Sequence, residues 1–261
     1  MKKPIIWELQ TGNEPLVATA IHNGHAVRPE IASLLALSEQ DRLREEDPYT
    51  GEWTVVAGTR VIGLHSRFEV DLNRPPERAV YQTPADAWGL NVWKSPLPVE
   101  IASRSLAQHT AFFSEMQRLF TDMSRRFGKF VVFDLHSYNH RRQGPNLPPA
   151  DLEQNPEVNI GTFTMNRQQW APVVNRFVTD LQAFDFLGRH LDVRENIKFG
   201  GGYFADWAHM NFPNSACVLA IEFKKFFMDE WTGQANYQQL NMIRRALEAT
   251  KAGVLEGLKK L

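Results

Sequence analysis

Three short apolar runs, residues 16–21, 130–135 and 217–221, limit what this chain can fold into more than any other feature. Each is rich in β-branched or aromatic side chains, too short for a typical helix, and suited to a strand buried on both faces. Long stretches of helical periodicity separate them. Between 100 and 127, Phe112, Phe113, Met116, Leu119, Phe120, Met123 and Phe127 recur at steps of three and four, and Gly128 supplies a stop. Further helices are expected from Pro29 through Leu37, over about 167–187 before Gly188, and from about Asn236 to the lysine-rich end. Pro29 fits a first-turn position, where its missing N–H breaks no intrahelical bond. Strands alternating with long helices predict an α/β fold, with a mixed or mostly parallel central sheet covered by helices on both faces.

The length of 261 residues suits a single domain over 1–261. Lys and Arg (29) are scattered among Asp and Glu (30), for a formal net charge of −1. No basic face is available to release counterions from a polyanion, so nucleic acid is not expected as a partner. No apolar run is long enough to span a bilayer, and the start, from Met1 to Glu8, has no apolar leader core. No membrane association and a cytoplasmic location are therefore expected. The lone Cys217 sits in an apolar run and reads as a core residue rather than a reactive thiol. The proline-rich interval 74–98 carries Trp88 and Trp93 and reads as an ordered surface excursion, because disordered segments are poor in aromatics.

Each apolar run stops at an ionisable side chain: His22 follows Ile21, His136 follows Leu135, and Glu222 follows Ile221. In open α/β sheets, ligands bind beyond the carboxyl ends of the strands, so the three can converge. Two imidazoles and a carboxylate suit Zn²⁺, with the carboxylate placed to take a proton from water. Each also has a plainer reading, the histidines as satisfied turn residues and Glu222 as a surface partner of Lys224 and Lys225. Asn73 and Arg74 suggest recognition of an acidic group, because a guanidinium fork matches a carboxylate. A loop ion pair to Glu45, Glu46 or Asp47 is the alternative. Gly200, Gly201 and Gly202 fit either a close backbone approach to a ligand or a flexible turn. Nucleotide binding is not expected, since neither glycine-rich phosphate fingerprint is present. His140 and His209 receive no role.

The tetrad Asp71-Leu72-Asn73-Arg74, the triplet His136-Ser137-Tyr138 and the late Glu222 resemble, in that order, the zinc carboxypeptidase superfamily. His22-Asn23-Gly24 is similar to the histidine-serine-glycine segment of the N-formylglutamate amidohydrolase family, with Asn23 in place of serine. Residues 133–137 and 198–203 resemble later blocks of that family, so the likeness covers about 17–229. It implies a zinc-dependent hydrolase that cleaves the formamide of N-formyl-L-glutamate to formate and glutamate in histidine breakdown. The implied partner is a small acidic acyl-amino acid.

Position by position, the resemblance makes His22 and His136 the zinc histidines and Glu222 the general base. Carboxypeptidases place a glutamate three residues after the first histidine, where this chain has His25. The third ligand is therefore expected between Arg44 and Pro48, with Glu46 chosen and Asp47 and His25 as substitutes. Asn73 and Arg74 match the pair that holds the substrate α-carboxylate. Arg194, or the pair Arg141 and Arg142, is expected to meet a second carboxylate, and Tyr203 to supply a hydroxyl. Two other functions remain open: a zinc exopeptidase or deacylase acting on another N-acyl amino acid or small peptide, and a catalytically silent binding protein of the same fold.

Overall fold

The computed structural model describes residues 6–261. One mixed seven-stranded sheet runs through it in the order β1-β3-β2-β4-β7-β5-β6. Its strands are β1 (Trp7–Gln10), β2 (Leu16–Ala20), β3 (Thr59–Gly63), β4 (Phe130–Tyr138), β5 (Val158–Gly161), β6 (Val193–Glu195) and β7 (Ala216–Lys224). The central strands β3, β2, β4 and β7 are parallel, while β1 and β5 join antiparallel. The helices are α1 (Pro29–Leu34), α2 (Glu39–Glu45), α3 (Thr50–Trp53), α4 (Val99–Phe127), α5 (Ala171–Ala183), α6 (Tyr203–Asn211) and α7 (Tyr237–Leu258).

Alternation along the strands divides the core in two. Val131, Phe133 and Leu135 of β4, with Cys217, Leu219 and Ile221 of β7, pack beneath α5 and α7. Phe130 and Val132, with Ala216 and Val218, face Phe112, Met116 and Phe120 of α4 and Phe204, Ala205 and Ala208 of α6. Helices thus cover both faces, as the apolar pattern predicts. Cys217 is buried, as expected.

The element limits differ from expectation in instructive ways. The strands β4 and β7 continue past Leu135 and Ile221, pairing His136 with Glu222, Ser137 with Phe223 and Tyr138 with Lys224. His136 and Glu222 therefore lie inside strands and not just beyond them. Helix α1 stops at Leu34 because Leu35 leaves it extended, and α5 is shorter than its periodicity suggests. Helix α7 starts where Asn236 accepts from the N–H of Gln239, an N-cap that holds an otherwise orphan donor. The proline-rich excursion is ordered: Tyr81, Ala87 and Val92 close a small core with Ile31, Leu35 and Phe68. Among the described residues, no helix is long and apolar enough to cross a membrane.

Candidate active site

The alternation that sends Val132 and Val218 into the core beneath α4 and α6 carries Asp134, His136 and Glu222 on that same face towards the strands' carboxyl ends. There they meet His22, two residues past the end of β2, on the wall of a cavity of about 610 Å³. The rings of His22 and His136 stand edge to face with centroids 5.0 Å apart.

A loop delivers the third member of the cluster. Glu46 leaves α2 in extended conformation, with φ −80° and ψ 175°, so neighbouring side chains turn to opposite sides. Glu45 and Asp47 line the cavity. Glu46 turns away and is fully buried against Ser66, His25 and Arg42. The structure therefore sets Asp47, and not Glu46, beside the two histidines, and His25 is spent on Glu46. Two contacts hold the Asp47 segment: its N–H donates to the carbonyl of His22 at 3.0 Å, and buried Lys225 Nζ donates to the carbonyls of Arg44 and Glu46 at 2.6 and 2.7 Å.

His22 Nδ1 and His136 Nδ1 both face Asp47 Oδ2, at 3.5 and 3.0 Å. The three residues form a buried set of potential metal ligands whose donor atoms lie within 4.8 Å of one another. A tetrahedral zinc with bonds of about 2.0–2.1 Å separates its ligands by about 3.3 Å, so this donor set fits such an ion. The outer nitrogens are fixed by carboxylates, as is usual for metal-binding histidines. His22 Nε2 donates to Asp71 Oδ1 at 2.7 Å, and His136 Nε2 donates to Asp134 Oδ2 at 3.1 Å. Asp134 also accepts from Thr19 Oγ1 at 2.6 Å, and Asp71 from Arg67, Tyr81 and the N–H of Asn73.

These buried charges shift one another. Burial alone would raise the Asp47 carboxyl, but hydrogen bonds and charge from His136 and His22 hold it far below the usual range. Burial would lower His136, yet Asp134, Asp47 and Glu222 lift it well above an ordinary histidine. Burial pushes Glu222 up to about 8; His136 opposes the rise, while Asp47 and Asp134 add to it. Neither Lys224 nor Lys225 pairs with Glu222, since both ammonium groups are bonded to backbone carbonyls.

Asn73, Arg74 and Tyr203 also line the cavity. The Asn73 Oδ1 accepts from the N–H of Phe204 at 2.9 Å, which leaves its amide NH₂ as the available donor. Gly202 permits this contact, because a Cβ there would overlap the Asn73 side chain, and Gly201 turns the chain at φ +119°. Gly202 thus seats Asn73 against the start of α6. Arg74 reaches Asp71 only at 3.9 Å, and its carbonyl accepts from His109 Nε2 at 2.9 Å. Arg194 lies elsewhere: its two terminal nitrogens are bonded to the carbonyls of Glu153 and Leu152 and to Asp192, outside the cavity lining. Of the alternative pair, Arg142 lines the cavity.

From sequence, Asp134 and Arg67 have no role, Lys225 is only a surface partner for Glu222, and Asp71 is named only within its tetrad. Asp134 carried a usable signal, since two residues before His136 on a strand puts both side chains on one face.

A cleft at the carboxyl ends of parallel strands, floored by a buried His–Asp–His set and a half-buried glutamate, defines an α/β protein with a candidate metal-site hydrolase centre. A family model for N-formylglutamate amidohydrolase matches residues 14–227, and the chain belongs to that family. Two solved structures share the fold. One is an N-formylglutamate amidohydrolase from Ralstonia eutropha JMP134, at 17% identity, TM-score 0.73 and 98% and 99% coverage of this chain and that one. The other is a gene product of Agrobacterium tumefaciens, at 17% identity, TM-score 0.65 and 97% and 96% coverage. No curated protein matches the chain.

Proposed function

We propose that this chain is a zinc-dependent amidohydrolase that cleaves the amide of an N-acyl acidic amino acid, N-formyl-L-glutamate first among them, to formate and glutamate. The observation that carries this reading is the convergence of both imidazole Nδ1 atoms on Asp47 Oδ2, beside Glu222 and in one cavity with Asn73 and Arg74. Membership of the N-formylglutamate amidohydrolase family supports the substrate. It also supports a place for the reaction in cytoplasmic histidine breakdown.

His22, Asp47 and His136 would hold the metal. Zinc bound there supplies a Lewis acid for the amide carbonyl and lowers the pKa of water towards neutrality. Glu222 takes the proton of the attacking water and returns it to the leaving amine, which departs poorly unprotonated. Asp71 and Asp134 keep both rings turned so that Nδ1 faces Asp47. The free amide NH₂ of Asn73 and the guanidinium of Arg74 receive the substrate α-carboxylate. The Tyr203 hydroxyl, whose pKa burial raises, stays protonated and donates into the same cavity.

The cavity, with Phe199 and Trp88 in its wall, has room for a larger acyl group, which favours a broader deacylase as the second reading. The test is release of amine from N-formyl-L-glutamate, N-acetyl-L-glutamate and a dipeptide by the zinc-loaded protein. A preference for the formyl substrate by an order of magnitude or more is expected. Equal or better use of the acetyl substrate or the dipeptide would replace this reading with the deacylase or exopeptidase one.

A further inference from the structure

Four cationic side chains line the cavity: Arg67, Arg74, Arg142 and Lys225. A guanidinium carries five N–H donors and a lysine ammonium three, so their commitments can be counted. Arg67 is spent at every nitrogen, with Nε on the Tyr81 hydroxyl at 3.1 Å, Nη1 on the Glu45 carbonyl at 3.5 Å and Nη2 on Asp71 at 2.7 Å. Lys225 holds two backbone carbonyls. Arg74 makes no side-chain hydrogen bond among the described residues and is the cation assigned above to the α-carboxylate.

Arg142 is the remaining one. Its Nη1 and Nη2 meet the two oxygens of Glu45 end-on, at 3.1 and 2.6 Å. That geometry leaves free the side-on fork made by Nε–H and the adjacent outer Nη–H, the arrangement that grips a carboxylate with two parallel bonds. No other acceptor engages Arg142 among the described residues. The group is held from two directions: the Glu45 side chain is only 3% exposed, and the Arg142 guanidinium carbon lies over the Trp88 ring, 5.4 Å from its centroid. Trp88 is itself stacked on Arg67, with the guanidinium carbon 4.7 Å from the ring centroid. Glu45 thus neutralises and aims Arg142 without using its second face.

We propose that Arg142 is the specificity-determining cation of this site, reading the side-chain carboxylate of a dicarboxylic N-acyl amino acid through its free fork. Arg74 takes the α-carboxylate. The proposal rests on the amidohydrolase reading for the reaction and on the donor count for the residue. It makes the cavity selective for substrates with two carboxylates, because a neutral side-chain amide meets the same fork without the charge.

The experiment compares N-formyl-L-glutamate with N-formyl-L-glutamine, near-isosteres in which a neutral amide replaces the side-chain carboxylate, in the wild-type protein, Arg142→Gln and Arg142→Lys. Lysine keeps a cation beside buried Glu45 and removes the planar fork, so it serves if the glutamine variant fails to fold. In the wild type, kcat/KM should favour the glutamate substrate by about 10- to 100-fold, the range of a charge-assisted hydrogen bond. That ratio should fall towards one in Arg142→Gln and by a smaller factor in Arg142→Lys, which keeps the charge but loses the fork. A purely structural role would lower both substrates together and leave the ratio at its wild-type value, which would overturn the proposal. Binding of L-glutamate against L-glutamine to the zinc-loaded proteins, measured by calorimetry, reads the same ratio without turnover. If no formyl substrate is cleaved, the amidohydrolase reading fails, and this binding ratio still decides the role of Arg142.

Discussion

His209 couples the placement of α6, and so of Tyr203 and Asn73, to pH. Strand β5 ends at Gly161 opposite Ala220, so the N–H of Val218 on β7 has no strand partner. His209 Nε2 accepts from it at 3.0 Å, and Nδ1–H donates to Thr164 Oγ1 at 2.9 Å. The Nε2 contact requires the neutral ring, since a proton on Nε2 would set N–H against N–H. Burial accordingly lowers the His209 pKa from an ordinary 6.5 to about 4. A proton then binds the unfolded chain more readily than the folded one. The stabilising effect is complete above pH 6.5 and is lost as pH falls towards 4. Between pH 7.5 and 5.0 the loss from this one group is about 2 kcal/mol, from 1.36 kcal/mol per pKa unit. His209→Gln offers a neutral acceptor in the same region and removes the titration. Urea unfolding of both apoproteins at pH 7.5 and 5.0 separates this group from all others, which cancel in the difference. The wild type should lose about 2 kcal/mol more than the variant on acidification; equal losses would refute the role of the neutral ring.

Asp47→Asn should weaken zinc binding by more than the 10- to 100-fold typical of outer partners, whereas Glu46→Gln should lower folding stability with the smaller effect on zinc affinity. Calorimetric zinc titration distinguishes them, and a reversed order would restore Glu46 as the ligand. Glu222→Gln should retain zinc yet lose on the order of 10²-fold or more in kcat. Near-wild-type turnover by the zinc-loaded variant would remove Glu222 as the base.

What the sequence revealed follows from how burial writes itself into a chain. His22, His136 and Glu222 stand out because each interrupts an apolar run that must be interior. Asp47 does not, because it competes with Glu45 and Glu46, and only the extended exit from α2 decides which of three acids stands beside the two histidines. Arg194 and Arg142 likewise look equivalent as letters. The carbonyls of Leu152 and Glu153, distant in sequence, spend the first, and Glu45 orients the second. The strands β1, β3, β5 and β6 were not expected: they are three to five residues long, and polar positions such as Glu8, Arg60 and Asn159 break their apolar pattern. The long stripe of α4 was legible almost to the residue, since its period repeats over many turns and Gly128 marks its end.

Formate release from N-formyl-L-glutamate, followed before chelation, after chelation and after zinc readdition, bears most directly on the assigned chemistry. Release should fall to background with the chelator and return with zinc in wild type but not in Asp47→Asn. Formate release that persists undiminished in the metal-free protein would contradict a zinc centre at His22, Asp47 and His136.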